Sequence, residues 1–431
     1  LTLLPRARAE VSDIALLGDQ ANLMAGAVTA STQAGPSMWY NPARLAFATD
    51  QRVMFAVSGV GVALRHYKVP GLVTAPNTNL DAKTTEILAL PRATTLVVRA
   101  HRPRLHWGLG LFVPTRQDVV LQAGHNQDSS AANFNAYAIR ERRASFHATG
   151  SVSYELNKRV QLGASLGYVT YSYFRMSQLT TAAYDSATGT ASAVVTSSAQ
   201  HDNLGYGLRP TLGISVQLVE GLTLGVSVSP PTMLFYAHVR DVSSSVSAAD
   251  SGVIRLTPSA RDHRGGTWDA VEPAIGRVGL AYATERMLWE IDGEISGGAR
   301  STDFDVDERV TGNVRAGCVA GLMRQLRLGF GFFTDLEHKQ GQLKQVGDAR
   351  MSGLGGTLGL NFISRLPGQE LSQGERKGTY SITLAARYAY FKGDVLGLRI
   401  AQAGQSDSIE TELVDADINE VSAQVGVNGA W

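Results

Sequence analysis

The sequence predicts an all-β protein: a transmembrane antiparallel up-and-down β-barrel of about fourteen strands, with an N-terminal plug inside the lumen. Three observations predict it. From about residue 51 onward, apolar residues alternate with Gly, Ser, Thr, Gln and Asn. Short turns and long polar connections then alternate between these runs. Finally, an irregular apolar segment stands in front of them, with nowhere else to be buried. The totals agree. Of 431 residues only 18% are charged, the net charge is +1 and 45 residues are Gly, against roughly 25% charged in soluble domains. No run approaches the roughly 18 apolar residues of a membrane helix, and no basic block points to a nucleic-acid partner. Cys318 is the only cysteine, so it forms no internal disulfide and no thiolate cluster; it reads as a small strand residue.

The first element is the start, residues 1–9. Ala7-Arg8-Ala9 fits the small-x-small pattern before a signal-peptidase cut, with Leu1 to Leu4 as the tail of an apolar core. That predicts export; a mobile tail without significance is the alternative. Residues 10–50 follow as the plug. They carry Leu16, Leu17, Leu23, Met24, Val28, Met38, Trp39 and Phe47, and the run "MAGAVTA" is small enough to pack closely against a wall. Asn41 precedes Pro42 and is pushed to extended geometry, while Pro42 suits the first position of a short helix, "PARLAF". A barrel of this width has a lumen its own side chains do not fill, which is why a plug is expected.

The wall, residues 51–431, has period two. In "VQLGASLGYV", Val160, Leu162, Ala164, Leu166 and Tyr168 share one face, and Gln161, Gly163, Ser165 and Gly167 the other. The same pattern predicts strands over 51–68, 92–101, 105–116, 142–155, 159–175, 200–219, 222–240, 267–284, 287–298, 309–323, 326–337, 350–364, 378–394 and 417–431. "ELNKRV", "QLVEGLTL", "YATERMLW" and "LMRQLRL" read as tight turns, and 69–91, 117–141, 176–199, 241–266, 299–308, 338–349 and 395–416 as long loops. "SRLPGQELSQGERKG" is the one long connection where a short turn is expected. Short periplasmic turns and long outer loops are the asymmetry of outer-membrane barrels. Trp107, Tyr154, Tyr282, Trp289 and Trp431 fall near the short-turn ends on the greasy face, as an interfacial girdle does. The greasy face therefore meets lipid, and the localisation expected is the outer membrane of a Gram-negative bacterium.

"WEIDGEI" places Glu290, Asp292 and Glu294 on one face, and three carboxylates do not face lipid. Parity turns Arg277 and Arg315, on the flanking strands, inward as well. This charge ladder reads either as an anchor between wall and plug or as a polar track. Pro114 in the third strand marks a wall kink or a harmless strand-end proline. No enzyme chemistry emerges. His147 faces the lumen without a Ser and acid placed beside it, the nine histidines lack zinc spacing, and Gly-x-Gly pieces such as "GLGLF" lie inside strands. No cofactor or metal is expected.

The plug carries a resemblance. "LMAGAVTASTQAGPSMWYNPARLA", with Asn41, Pro42 and Ala43 as an Asn-Pro-Ala motif, resembles the hatch of the FadL family of outer-membrane long-chain fatty-acid transporters; Arg44 stands where that family usually has Gly. "WGLGLFVPT", "RVQLGASLGYV", "GLTLGVSVSPP" and "EPAIGRVGLAYA" are similar to its strand patterns. The resemblance implies a fourteen-strand barrel, an inside hatch, and passive uptake of hydrophobic molecules that leave sideways at a kink in the third strand. On it, Met24, Met38, Trp39, Tyr40 and Phe47 are expected to line a ligand pocket, and Asn41 and Pro42 to hold the hatch. Membrane lipids and a hydrophobic ligand are the partners implied. A FadL-like scaffold for a surface, secretion or motility complex, with outer-membrane or periplasmic protein partners, is the alternative.

Overall fold

The structure is a computed structural model. It describes residues 16–47, 53–75, 78–90, 92–99, 104–126, 133–184, 191–249, 254–337, 343, 346, 348–365, 378–400 and 409–430. Its wall begins with β1 (Val53–Ala75), β2 (Thr78–Leu90), β3 (Ala93–Arg99), β4 (Leu105–Asn126), β5 (Asn133–Asn157), β6 (Val160–Tyr184) and β7 (Ala191–Val219). It continues with β8 (Leu222–Ser229), β9 (Thr232–Ala249), β10 (Ile254–Gly265), β11 (Ala270–Glu272), β12 (Ile275–Ala283) and β13 (Met287–Ser296). A small separate hairpin, β14 (Ala299–Ser301) and β15 (Val306–Glu308), precedes β16 (Thr311–Gly321), β17 (Leu326–Asp335), β18 (Ala349–Arg365), β19 (Thr379–Ile400) and β20 (Ile409–Ala430). Neighbours pair antiparallel, and β20 returns to β1 from Met54↔Ala430 to Lys68↔Asp417, which closes the sheet.

Among the described residues eighteen strand segments make up this sheet, against the expected fourteen or so. The excess comes from interruptions. β8 and β9 both pair with β7, on either side of Pro230-Pro231, and Pro273 separates β11 from β12. A proline offers no N–H to the ladder, so a continuous run is cut in two. β2 and β3 likewise share β1 as partner.

The expectation of long polar loops needs a larger correction. Much of 69–91, 117–141, 176–199, 241–266 and 395–416 is strand, with pairing such as Leu179↔Ser197, Ser198↔Ser244 and Leu396↔Leu413 continuing the wall. Extended backbone satisfies its N–H and C=O groups most simply by continuing the ladder, and Val69, Val119, Leu121, Ile139, Leu179 and Val395 in these segments are buried. The tight turns stand as expected. Asn157 Oδ1 accepts from Arg159 N at 2.8 Å and Val160 N at 2.9 Å. Gly221 takes φ 79, and Thr284 N donates to Met287 O at 2.7 Å. The segment 366–377, the departure from alternation, lies outside the described residues, as does Trp431.

The two faces of the wall are those of a membrane barrel. Leu109, Leu166, Leu212, Ile291, Leu358 and Val421 are exposed, while Ser151, Ser165, Ser215, Ser227, Thr383 and Ser422 are buried on the opposite face. A soluble sheet does the reverse, and so much exposed apolar surface is stable only against lipid. Trp107, Tyr154, Tyr282 and Trp289 all stand exposed near the short-turn ends, with Tyr282↔Trp289 opposite each other across a turn.

Residues 16–47 pack against the inner face. They contain α1 (Asp19–Leu23), α2 (Ser37–Tyr40) and a 3-10 turn over Pro42–Phe47, where the sequence suggested a short helix. Asn41 is extended, at φ −157 and ψ 100, as its following proline requires. Residues 1–15 and 48–52, which include the expected signal remnant and both ends of the 10–50 segment, lie outside the described residues.

Candidate functional site

The site is built where the N-terminal segment meets the wall. Leu16, Leu17, Leu23, Met24, Val28 and Met38 are buried, and join Val97, Phe112, Val119, Leu121 and Phe333 of the wall in one apolar cluster. Close approach is possible because the wall presents glycines. A Cβ at Gly163 would collide with Pro42, one at Gly213 with the Asn41 amide oxygen, and ones at Gly317 and Gly331 with Met24.

Of the expected pocket residues, Met24 and Met38 are fully buried, and Met38 O accepts from Ser165 Oγ at 3.0 Å. Tyr40 is buried too. Its hydroxyl accepts from Leu17 N at 3.1 Å and its carbonyl from Ser227 Oγ at 2.6 Å. Trp39 is half-buried, with its ring centroid 5.9 Å from Phe112 and 5.1 Å, edge-on, from His147. Trp39, Phe112 and Met38 therefore form one apolar group, while Met24 and Tyr40 serve other parts of the interface. The Phe47 side chain lies outside the described residues.

Asn41 ties three things together. Its Nδ2 donates to Thr29 O at 3.0 Å and to Ile214 O, in the wall, at 3.1 Å, while its Oδ1 accepts from Ala43 N at 3.2 Å. No apolar residue could replace it, since each bond satisfies a buried backbone group. Pro42 and Ala43 beside it are buried. Arg44, the position that departs from the resemblance, is buried as well; its Nε donates to Thr32 O at 3.2 Å and its Nη1 contacts Ser215 Oγ at 3.4 Å. Burial pulls its guanidinium down to about 10, against the raising influence of Glu290, so it stays a cation at neutral pH.

The inward ladder divides into two jobs. Arg277 Nε reaches Glu294 at 2.7 Å and Arg315 Nη2 reaches it at 2.9 Å. Asp292 and Glu290 instead face the N-terminal segment: Asp292 Oδ2 accepts from Val28 N at 2.8 Å and Thr29 N at 2.9 Å, and Glu290 Oε1 from Ala30 N at 2.5 Å. Two carboxylates of β13 thus hold three consecutive amides of the turn 28–30. Across the barrel, Asp19 is a second tie, hydrogen-bonded by Asn428 of β20. Burial raises its carboxyl to about 6, against the lowering effect of bonds from Thr383 and Asn428.

Pro114 sits at an irregularity. The β4–β5 register shifts between Phe112 and Thr115, and Val113 N turns to Arg92 O at 2.9 Å. On β1, across β3 from β4, the register with β20 shifts between Val57 and Val60, where Gly59 takes φ 72. The wall is therefore uneven next to Trp39 and Phe112.

Sequence reasoning missed three buried ion groups. Glu272 meets His147 Nε2 at 3.1 Å and Arg209 Nη1 at 2.9 Å, beside Trp39. Arg65 and Arg387 each lie 2.6 Å from Glu420, across the seam where β1, β20 and β19 meet. Glu141 binds Arg143 at 2.9 Å and Arg175 at 2.8 Å. Inward parity was the available signal for each, but the partners come from strands far apart in sequence. A cavity of about 1020 Å³ opens at the short-turn end below the segment, lined by Asp19, Gln20, Arg44, Met54, Arg286 and Asn361 among others.

The sequence matches no protein-family model, and no curated protein matches it. Solved structures do. A Pseudomonas aeruginosa FadL homologue aligns with a TM-score of 0.60 at 14% identity, covering 95% of this chain and 97% of its own. The Pseudomonas putida toluene transporter TodX gives 0.59 at 16%, covering 97% and 99%. The Ralstonia pickettii toluene transporter TbuX gives 0.57 at 13%, covering 98% and 100%. With its apolar face outward and its sheet closed, the chain has the closed-barrel fold of these FadL-type channels.

Proposed function

We propose that this protein is an outer-membrane channel for passive uptake of hydrophobic small molecules, with residues 10–50 as a hatch inside the barrel formed by 51–431. The observation that carries it is the apolar group of Met38, Trp39 and Phe112 set beside the uneven wall at Pro114. A hydrophobic molecule reaching Trp39 gains roughly 25 cal/mol for each Å² it buries, and needs no energy source to move on. Leaving sideways through the disturbed ladder at Pro114 spares it the polar lumen. The similar structures, toluene transporters among them, support the substrate class. Glu290, Asp292 and Asn41 serve as hatch anchors rather than as a polar track: one oxygen of each carboxylate accepts from the amides of residues 28–30, and the Asn41 amide joins Thr29 O to Ile214 O of the wall. The scaffold reading draws no support from neighbours that are transporters, and it is not carried further.

The test uses intact Gram-negative cells lacking their own hydrocarbon channels, whose lipopolysaccharide slows apolar solutes. The wild-type chain should raise uptake of radiolabelled toluene severalfold, and Asn41→Ala, at equal barrel levels, should lose most of that gain. Equal uptake with and without the wild-type chain counts against the proposal.

A further inference from the structure

The outer surface of the wall carries a charge imbalance that uptake does not explain. In "IRERR" of β5, Glu141 and Arg143 turn inward and are buried, while Arg140 and Arg142 point out, with side chains 46% and 51% exposed. Arg116 of β4, paired with Ala144, is exposed on the same outward row. Among the described residues one acid stands with these three cations: Asp118, whose carboxylate is 3.4 Å from Arg140 and 3.2 Å from Arg142.

The height of this row locates it. The outward face of β5 runs Tyr154, Val152, Gly150, Ala148, Phe146, Ala144, Arg142, Arg140, and starts at the aromatic girdle beside the short turn. From Tyr154 to Arg142 is twelve residues, about 40 Å of strand at roughly 3.3 Å each, and about 28 Å of height at a tilt near 45°. The apolar band of such barrels is about 25 Å tall. Arg142 and Arg140 therefore emerge just past the far edge of the acyl chains, among lipid headgroups, with exposed Phe146 and Leu111 below them and Met176 beside Arg140. Elsewhere on the outward face, Lys392 stands opposite Asp417 and Asp394 opposite Asp415, with no excess of cations.

We propose that Arg116, Arg140 and Arg142 form a binding site for a phosphate group carried by a lipid of the outer leaflet. Arg140 and Arg142 project from the same face of β5, and their N–H edges turned away from Asp118 match the oxygens of a phosphate. The apolar side chains beneath accept the lipid's acyl chains, so headgroup and tail are recognised together. A surplus of two positive charges at this depth is otherwise unfavourable, and anionic headgroups offset it. The site depends on the membrane placement of the wall and not on what the channel carries.

The experiment mixes the folded full chain in detergent with bisphosphorylated lipid A or with phosphatidylethanolamine, and counts bound lipid by native mass spectrometry. The wild type should retain lipid A, and the double variant Arg140→Gln/Arg142→Gln about tenfold less, with phosphatidylethanolamine unchanged. Asp118→Asn should retain at least as much lipid A as the wild type, since it removes the acid that stands among the three arginines in the described residues; this variant decides the matter should the double variant fail to fold. Equal lipid A retention by wild type and double variant overturns the proposal, as does a loss in Asp118→Asn. Displacement of lipid A by an equal concentration of inorganic phosphate also overturns it, because the site would then take a free anion without its lipid.

Discussion

Asp292 shows how a single buried carboxylate is made tolerable. It lies inside a barrel, nearly inaccessible, yet receives two backbone amides from Val28 and Thr29. Charged acceptors of this kind contribute about 1.5–3 kcal/mol per bond, and removing the acceptor strands both donors. Asp292→Ala is therefore expected to weaken the attachment of the N-terminal segment by about 2–4 kcal/mol. Limited proteolysis of the folded barrel measures it: cleavage within residues 16–47 should accelerate at least tenfold, while the wall stays intact. Unchanged protection would contradict the anchoring role. Period two alone made the inward direction of Glu290, Asp292, Glu294, Arg277 and Arg315 legible. The division of labour was not legible, because three of the partners are amide groups of residues 28–30 and an amide leaves no mark in a residue pattern.

At the level of elements, the wall and the N-terminal segment are matched surfaces. Wall glycines such as Gly163 and Gly213 stand where the Asn41-Pro42 corner touches, so the Gly-rich inner face is a packing device as well as a polar one. The Asn41-Pro42-Ala43 corner was readable from local backbone rules, and its neighbours were not. The strand extensions read as loops because polar residues fill much of them, although their hydrogen-bonded pairing continues and Val119, Leu121 and Leu179 in them are buried. The tie between α1 and β20 through Asp19 has a pH signature. Its carboxyl is raised from 3.8 to about 6 by burial, so between these values the folded state holds a proton that the unfolded chain has released. Stability then falls as pH rises through this window, by at most about 3 kcal/mol, and is greatest below it. Asp19→Asn should flatten the dependence of the thermal midpoint between pH 4 and 6.5, and stabilise the fold at pH 7.5. An unchanged slope in the variant would remove Asp19 from this role.

For the whole molecule, orientation decides everything else. Large apolar side chains stand on the outside of a closed sheet and Ser, Thr and paired charges on the inside, so bilayer and lumen are assigned together. That much was legible from the alternation, the short turns and the girdle. The seam formed by Arg65, Glu420 and Arg387 was not, since closure joins residues more than 350 positions apart, such as Arg65 and Glu420. On the proposed hatch role, a barrel this wide excludes ions only while its N-terminal segment stays seated, and the carboxylates of β13 are among the groups that hold it. Conductance across a planar bilayer tests this most directly. The wild-type chain is expected to be silent or nearly so, and Glu290→Ala/Asp292→Ala to open steps of the size seen in water-filled pores. A wild-type chain that conducts as freely as that variant would contradict the account.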